Sequence, residues 1–460
     1  MSEEEGGARR VPPGDAGACL RGKKVLLLQG PVGPFFRGLA QDLRAAGAEV
    51  HKVNFNGGDK LFYWRAAQSF KGTLEEWPAW LERFIQAHDV EVILLFGDCR
   101  PVHRCVDALA RKHRCVVGVF EEGYVRPHHV TFELHGVNGH SGFAKDFDTL
   151  MAQERSVQPL VPVDRTFWGA AWCAMAYFLA AWLSQGFWNN RLHHRWLSIW
   201  EGLFWLRSFG RKQWFRWRER GWQERLAGPL SGRYFLVPLQ VHNDAQVHVH
   251  SKYDDVAHFI GRAIKSFAVA LPSHGGDGAA APDLLVFKHH PMDRGHVGYG
   301  RLIARLAAEY GIPDRVVYLH DQHLPTLLRH AKGVAVINST VGLSALHHGA
   351  PTLVCGSAIY DLPGLTFQGE PAAFWTEARQ AVPDKVMLKR FTQSLIAHTQ
   401  LNGSFYRHMS VWRNHSGVDL SGMFHNLAGG MRVIAHVRAT VLAPQRGARS
   451  TPAQFVEMQQ

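Results

Sequence analysis

Short runs that are apolar throughout recur along this chain, and they restrict it to one kind of fold. Residues 23–29 (KKVLLLQ), 48–54, 90–96 and 114–120 form one series; residues 233–239, 284–288, 315–319, 334–337 and 352–355 form a second. A strand with one wet face alternates apolar and polar residues. A strand apolar on both faces belongs to a parallel sheet covered by helices, and helical segments separate these runs. The expected fold class is therefore α/β, with two Rossmann-like doubly wound domains facing a cleft. At 460 residues the chain is long enough for two such cores.

The second series contains the most informative stretch, residues 333–351 (GVAVINSTVGLSALHHGAP). It reads as a buried strand, a polar turn at Asn338, Ser339 and Thr340, and a helix from about 341 to 348. Gly349 suits a left-handed C-cap, and Pro351 follows it. Small hydroxyl residues where a strand meets a helix N-terminus bring free N–H groups, the helix dipole and side-chain donors onto one anion. Plain N-capping selects the same residue types.

Ligands of doubly wound sheets bind beyond the carboxyl ends of the strands. In the first half those ends carry Gln29, Gly30, Gly33, Asn54, Asn56, Gly57, Asp98, Arg100, Glu121 and Glu122. The adjacent carboxylates of Glu121 and Glu122, followed by Gly123, suit acid or base chemistry tuned by burial; a solvated loop with Arg126 as its counter-charge is the other reading. In the second half Lys288, His289, His290 and Pro291 end one strand, and His320 and His323 follow the next. A histidine before proline is held extended, and His290 can donate to a phosphate. These histidines with Asp321 match neither HxH nor HExxH, and there is no convincing DxD, so no metal is expected. Asp254 and Asp255 read as a helix N-terminal pair. The loop GPVGPFF is not GxGxxG and no GxxxxGK[ST] occurs, which excludes a dinucleotide dehydrogenase and a P-loop NTPase. Two doubly wound domains across a cleft suggest the GT-B type of glycosyltransferase architecture.

The net charge of +12 implies an anionic partner. Six scattered cysteines without CxxC fit a reducing cytoplasm. Residues 1–20 and 441–460 are expected to be disordered tails, the first without the pattern of a signal peptide. Between lies a first domain at 21–160, an insertion at 161–230 and a second domain at 231–440. The insertion holds ten of the fifteen tryptophans, interleaved with Arg, Lys and His. Such a surface suits lipid headgroups and is expected to lie on a membrane; a buried insertion and a true span are the alternatives. Nucleic acid is not an expected partner, because no RNA-binding motif accompanies the aromatic residues.

Several long blocks, in order, resemble the capsule polysaccharide biosynthesis proteins of the KpsS/LipB family. They include LLLQGPVGPFF, NFNGGD, FGDCRPVH, FEEGYVRPHHVTFELHGVNGHS, PLQVHNDAQVHVHS, FKHHPMD, LHDQHLPTLLRHA and NSTVGLSALHHGAPTLVCG. The resemblance covers roughly residues 23–369. It implies a β-Kdo transferase that takes Kdo from CMP-β-Kdo and places it on a phosphatidylglycerol-type lipid, beginning the poly-Kdo linker of a capsular polysaccharide. It further implies a metal-independent enzyme without cofactor, cytoplasmic and peripheral on the inner face of the inner membrane, working beside other capsule assembly proteins. On that resemblance Glu122, with Glu121 as the other candidate, and His290 are catalytic. Lys288, Pro291, Asn338, Ser339 and Thr340 serve the donor phosphate and CMP. Gln29, Gly30, Asn56, Asp98 and Arg126 belong to the acceptor and sugar side. A transferase using another CMP-sugar and a non-enzymatic export component are the rival readings.

Overall fold

The computed structural model describes residues 17–143, 147–152, 157, 159–188, 192–193, 200–271 and 283–442. Strands β1 (Lys24–Leu27), β2 (Glu49–Asn54), β3 (Gln68–Ser69), β4 (Val92–Phe96), β5 (Val116–Glu122) and β6 (His129–Leu134) build the first sheet with a late strand, β12 (Gln400–Asn402). Its order is β12-β6-β5-β4-β1-β2-β3. The strands from β1 to β5 pair in parallel, whereas β6 and β12 are antiparallel. β5 therefore runs two residues past the expected end at 120. Its partner β6 sets Glu121 opposite Thr131 and Glu122 opposite Val130, so both carboxylates are the last rungs of a ladder. The segment 129–134 (HVTFEL) was not among the expected strands, because its two-sided mixture of polar and apolar residues lacks the continuous apolar run.

The second sheet matches its series closely. β7 (Tyr234–Pro238), β8 (Leu284–Lys288), β9 (Val316–Leu319), β10 (Gly333–Val336) and β11 (Thr352–Val354) are all parallel, in the order β11-β10-β7-β8-β9. Helix Val341–His347 follows β10, and Gly349 takes φ +76° just beyond it, the left-handed conformation expected there. Asp255 caps helix Val256–Ala270 by accepting the His258 N–H at 2.7 Å.

The expected bounds of the second domain need correction. After β11 and helix Lys385–Thr399 the chain returns to the first sheet as β12, and helix Ser421–Leu442 buries Met423 and Leu427 in the first core. Gln400 fixes the return: its amide oxygen accepts the Tyr124 N–H at 3.0 Å and its amide nitrogen donates to Thr131 at 3.0 Å. Leu20 is buried in the same core, so the structured chain also begins before residue 21. The rest of the tails expected at 1–20 and 441–460 lies outside the described residues, apart from the end of helix Ser421–Leu442.

The tryptophan-rich insertion grips both domains. Helix Phe167–Leu183 lies on the first, burying Tyr177 and Ala181. Gly58 permits this approach, since a Cβ there would sit 2.6 Å from the Tyr177 ring. Helix Trp200–Arg218 reaches the second, where the Phe215 ring stacks on His320 at a centroid distance of 3.4 Å. Just beyond it the Glu219 carboxylate accepts the backbone N–H groups of His320 and Asp321 at 2.8 and 3.0 Å. The outward faces remain apolar: Trp168 is 71% exposed, Trp172 68%, Phe187 72% and Leu206 71%. Among the described residues no helix is long and apolar enough to cross a membrane.

Candidate functional site

The carboxyl ends of the two sheets face each other, and most of the expected residues meet there. Glu121 accepts the Glu122 backbone N–H at 3.0 Å. Burial pushes its carboxyl up to about 7, reinforced by the neighbouring Glu122 charge and only partly opposed by that N–H and by Arg100. Glu122 takes a hydrogen bond of 3.1 Å from the Tyr406 hydroxyl. Burial and the Glu122 charge hold the Tyr406 phenol well above its ordinary range, so it remains a donor. Gly123 has to be glycine: a Cβ there would lie 2.1 Å from the His129 carbonyl oxygen, where β6 begins.

Arg100 ties the strand ends of the first domain together. It donates to the Gln29 side-chain oxygen and the Gly30 carbonyl, each at 3.0 Å, and its charge acts on Glu121. Gln29 and Asn56 are only 1% exposed. Gln29 donates onward to Asp59 at 3.3 Å, and Asn56 donates to the Tyr177 hydroxyl at 2.7 Å, which in turn donates to Asp59 at 2.9 Å. Gln29 and Asn56, expected on the acceptor side, lie at those strand ends as buried residues. They are buried supports, consumed in a polar chain that joins the insertion helix to Arg100. Gly30 stays half-buried beside Arg100. Asp98 faces the cleft and accepts from His140 at 2.7 Å.

Across the cleft, His290 begins a turn at Pro291–Asp293, and its Nδ1 accepts the Met292 N–H at 3.2 Å. That bond places the proton on Nε2, and burial pulls the imidazole down to about 4. The ring is thus neutral, with one N–H to offer a phosphate. Positive charge comes instead from its neighbours. Arg126, anchored by its donation to the Gly123 carbonyl at 3.1 Å, acts on His290 from the opposite domain. Lys288 is buried, and burial with nearby Arg294 lowers its ammonium to about 8, which leaves it charged at neutral pH.

A pocket between the domains is lined by Tyr124 and Asn138 from the first and by Asn338, Thr340 and Tyr360 from the second. Thr340 makes no side-chain cap of its own helix, whereas the Ser339 hydroxyl accepts the Val341 N–H at 3.2 Å. Asn338 is a fastener: it donates to the Gln246 carbonyl and accepts from Gln240, both at 3.0 Å. Thr340, which lines the pocket, thus presents to it a hydroxyl not used in capping. Tyr124 is held by donating to the buried Glu133 at 2.7 Å, and Asn138 donates its backbone N–H back to the Tyr124 oxygen at 2.6 Å.

Tyr406 and Tyr177 were not foreseen at the site. Each is a lone tyrosine far along the chain from its partner, and no local pattern marks it. His140 and Asn138 sit in the quoted block FELHGVNGHS, whose run of small and polar residues was the available signal.

A sequence profile described as capsule polysaccharide biosynthesis protein matches residues 91–406. Over 394 residues the chain is 41% identical to the capsule polysaccharide export protein KpsS of Escherichia coli, covering 84% of this chain and 98% of that protein. It is 35% identical, again over 84% of its length and 92% of the relative, to the capsule polysaccharide modification protein LipB of Neisseria meningitidis serogroup B. Among solved structures, a KpsC β-Kdo 2,7 transferase of Thermosulfurimonas dismutans is similar with a TM-score of 0.40 and 13% identity, over 76% of this chain and 91% of that one.

Proposed function

The chain belongs to the capsule polysaccharide biosynthesis family, and from that premise we propose that it transfers Kdo from CMP-β-Kdo to a phosphatidylglycerol-type lipid. The observation that carries this reading is the pair of strand-end carboxylates set against an imidazole donor and cationic groups across one cleft. Glu121, with its carboxyl near 7, is suited to exchange a proton at neutral pH. It takes the proton of the acceptor hydroxyl as that oxygen bonds to the anomeric carbon. The bond from that carbon to the phosphate oxygen breaks, and CMP departs with the electron pair. The Glu122 carboxylate, aimed by Tyr406, stabilises positive charge on the sugar in between.

The leaving phosphate is met by the His290 Nε2–H, the Thr340 hydroxyl and the charges of Lys288 and Arg126. Charge neutralisation of this kind lowers the cost of expelling CMP. Pro291, next to His290, holds the turn that aims the ring. The insertion brings the acceptor to the cleft: its exposed indoles suit the headgroup layer, and the arginines between them suit anionic lipid. This reading places the chain on the inner face of the inner membrane, beside the other capsule assembly proteins.

The test is release of CMP by the purified full chain. CMP-Kdo with phosphatidylglycerol vesicles is expected to give lipid-dependent release, whereas CMP-sialic acid gives none. Release from CMP-sialic acid alone would replace the sugar, and no release from any CMP-sugar would overturn the reading.

A further inference from the structure

We propose that Cys99, His140 and His250 form a site for one transition-metal ion of the zinc class, bridging the two domains. This inference stands independently of the transferase reading. Cys99 lies on the loop after β4, His140 closes the short turn Asn138–His140 after β6, and His250 ends helix Ala245–Val249 in the opposite domain. One donor atom from each lies within 4.8 Å of the other two. The Cys99 Sγ is 3.4 Å from the His250 Nε2. Bonds of about 2.3 Å to sulfur and about 2.0 Å to nitrogen at a tetrahedral angle would separate the same two atoms by about 3.5 Å.

The two imidazoles are oriented for convergence. His140 uses its Nδ1 on the Asp98 carboxylate at 2.7 Å, which leaves Nε2 as its free donor atom. A carboxylate behind a histidine is the usual outer support of a metal ligand. The His140 and His250 rings stand at 83° with centroids 4.3 Å apart, edge to face. Two glycines make room for them. A Cβ on Gly139 would lie 2.4 Å from the His250 Nδ1, and one on Gly136 would lie 2.5 Å from the His140 Cβ.

One sulfur and two imidazole nitrogens suit zinc or cobalt and not magnesium or calcium, which take oxygen ligands. Cys99 and His250 are buried while His140 is 52% exposed, so the fourth position opens toward the cleft and takes water or an anionic oxygen. Binding replaces the Cys99 S–H bond by a metal–sulfur bond and releases one proton to solvent. The ion then fastens the domains in their closed relation.

Cobalt(II) titration of metal-stripped full-length protein tests the site, read by absorption and by metal analysis after gel filtration. One equivalent is expected, with a near-ultraviolet thiolate-to-cobalt band and the visible bands of a tetrahedral ion. Cys99→Ser should lose the thiolate band, and Asp98→Asn should keep it with affinity lowered by about 10- to 100-fold. His140→Ala, on the open side where refolding is least disturbed, should weaken binding with an unchanged circular dichroism spectrum. Absence of the thiolate band in the wild type, or an unaltered band in both Cys99→Ser and His140→Ala, overturns the proposal.

Discussion

Tyr406 donates its hydroxyl to the Glu122 carboxylate at 3.1 Å, across 284 residues of sequence. The chain leaves the second domain to make this contact, and the contact aims one carboxylate of the proposed pair. Glu122→Gln keeps the size and polarity but removes the charge. It is expected to lower transfer by at least about 100-fold, the lower range for a group acting on a transition state. Tyr406→Phe should lower it less, with an unchanged KM for the CMP-sugar. Steady-state kinetics of both variants check this; near-normal turnover in Glu122→Gln contradicts it.

Glu121 makes a prediction of definite sign. Its carboxyl sits near 7 in the folded chain against 4.5 for the free group. Between these values the folded state binds more protons than the unfolded one, so this group makes stability fall as pH rises from 4.5 to 7. Glu121→Gln removes that dependence. Its melting temperature, relative to wild type, should therefore be higher at pH 8 than at pH 4.5. Wild-type turnover should rise through about pH 7 as the carboxyl ionises.

His290 acts as a neutral donor, since its ring titrates near 4. His290→Ala is expected to cost about 100-fold or more in turnover, as for other lost donors to a developing anion. His290→Gln, which retains an N–H, should recover part of the loss. Equal loss in both variants would show that the N–H is not the working feature.

Tyr177 joins the insertion to the first domain through Asn56 and Asp59. Tyr177→Phe leaves these buried partners short of one bond each, a cost of about 1–3 kcal/mol per unsatisfied group. Urea denaturation should register that loss. Transfer to vesicle-bound acceptor should fall with it, because Arg100 is supported by the same chain through Gln29.

The exposed face of the insertion should bind anionic vesicles in a salt-dependent way. Replacing Trp168, Trp172 and Leu206 by serine is expected to weaken flotation with phosphatidylglycerol vesicles at unchanged melting temperature. Unchanged flotation of the folded variant would assign the surface to another partner.

The parallel strands were legible because burial on both faces writes continuous apolar runs, and strand-end chemistry followed from where such sheets bind ligands. The carboxylates, His290 and Thr340 were reached that way. β6 and β12 were not, since β6 mixes polar with apolar residues and β12 is only three residues long. Gln29 and Asn56 were placed at the right strand ends, but their burial depends on Tyr177 from a distant helix. The neutral form of His290 was not legible, because desolvation is a property of its surroundings and not of its neighbours in sequence.

The most direct measurement is mass spectrometry of a fluorescent phosphatidylglycerol incubated with the purified chain and CMP-Kdo made in situ. The account predicts a lipid product heavier by Kdo with wild type and none with Glu122→Gln. An unmodified lipid with a folded, CMP-binding wild type, or the same product from Glu122→Gln, would contradict it.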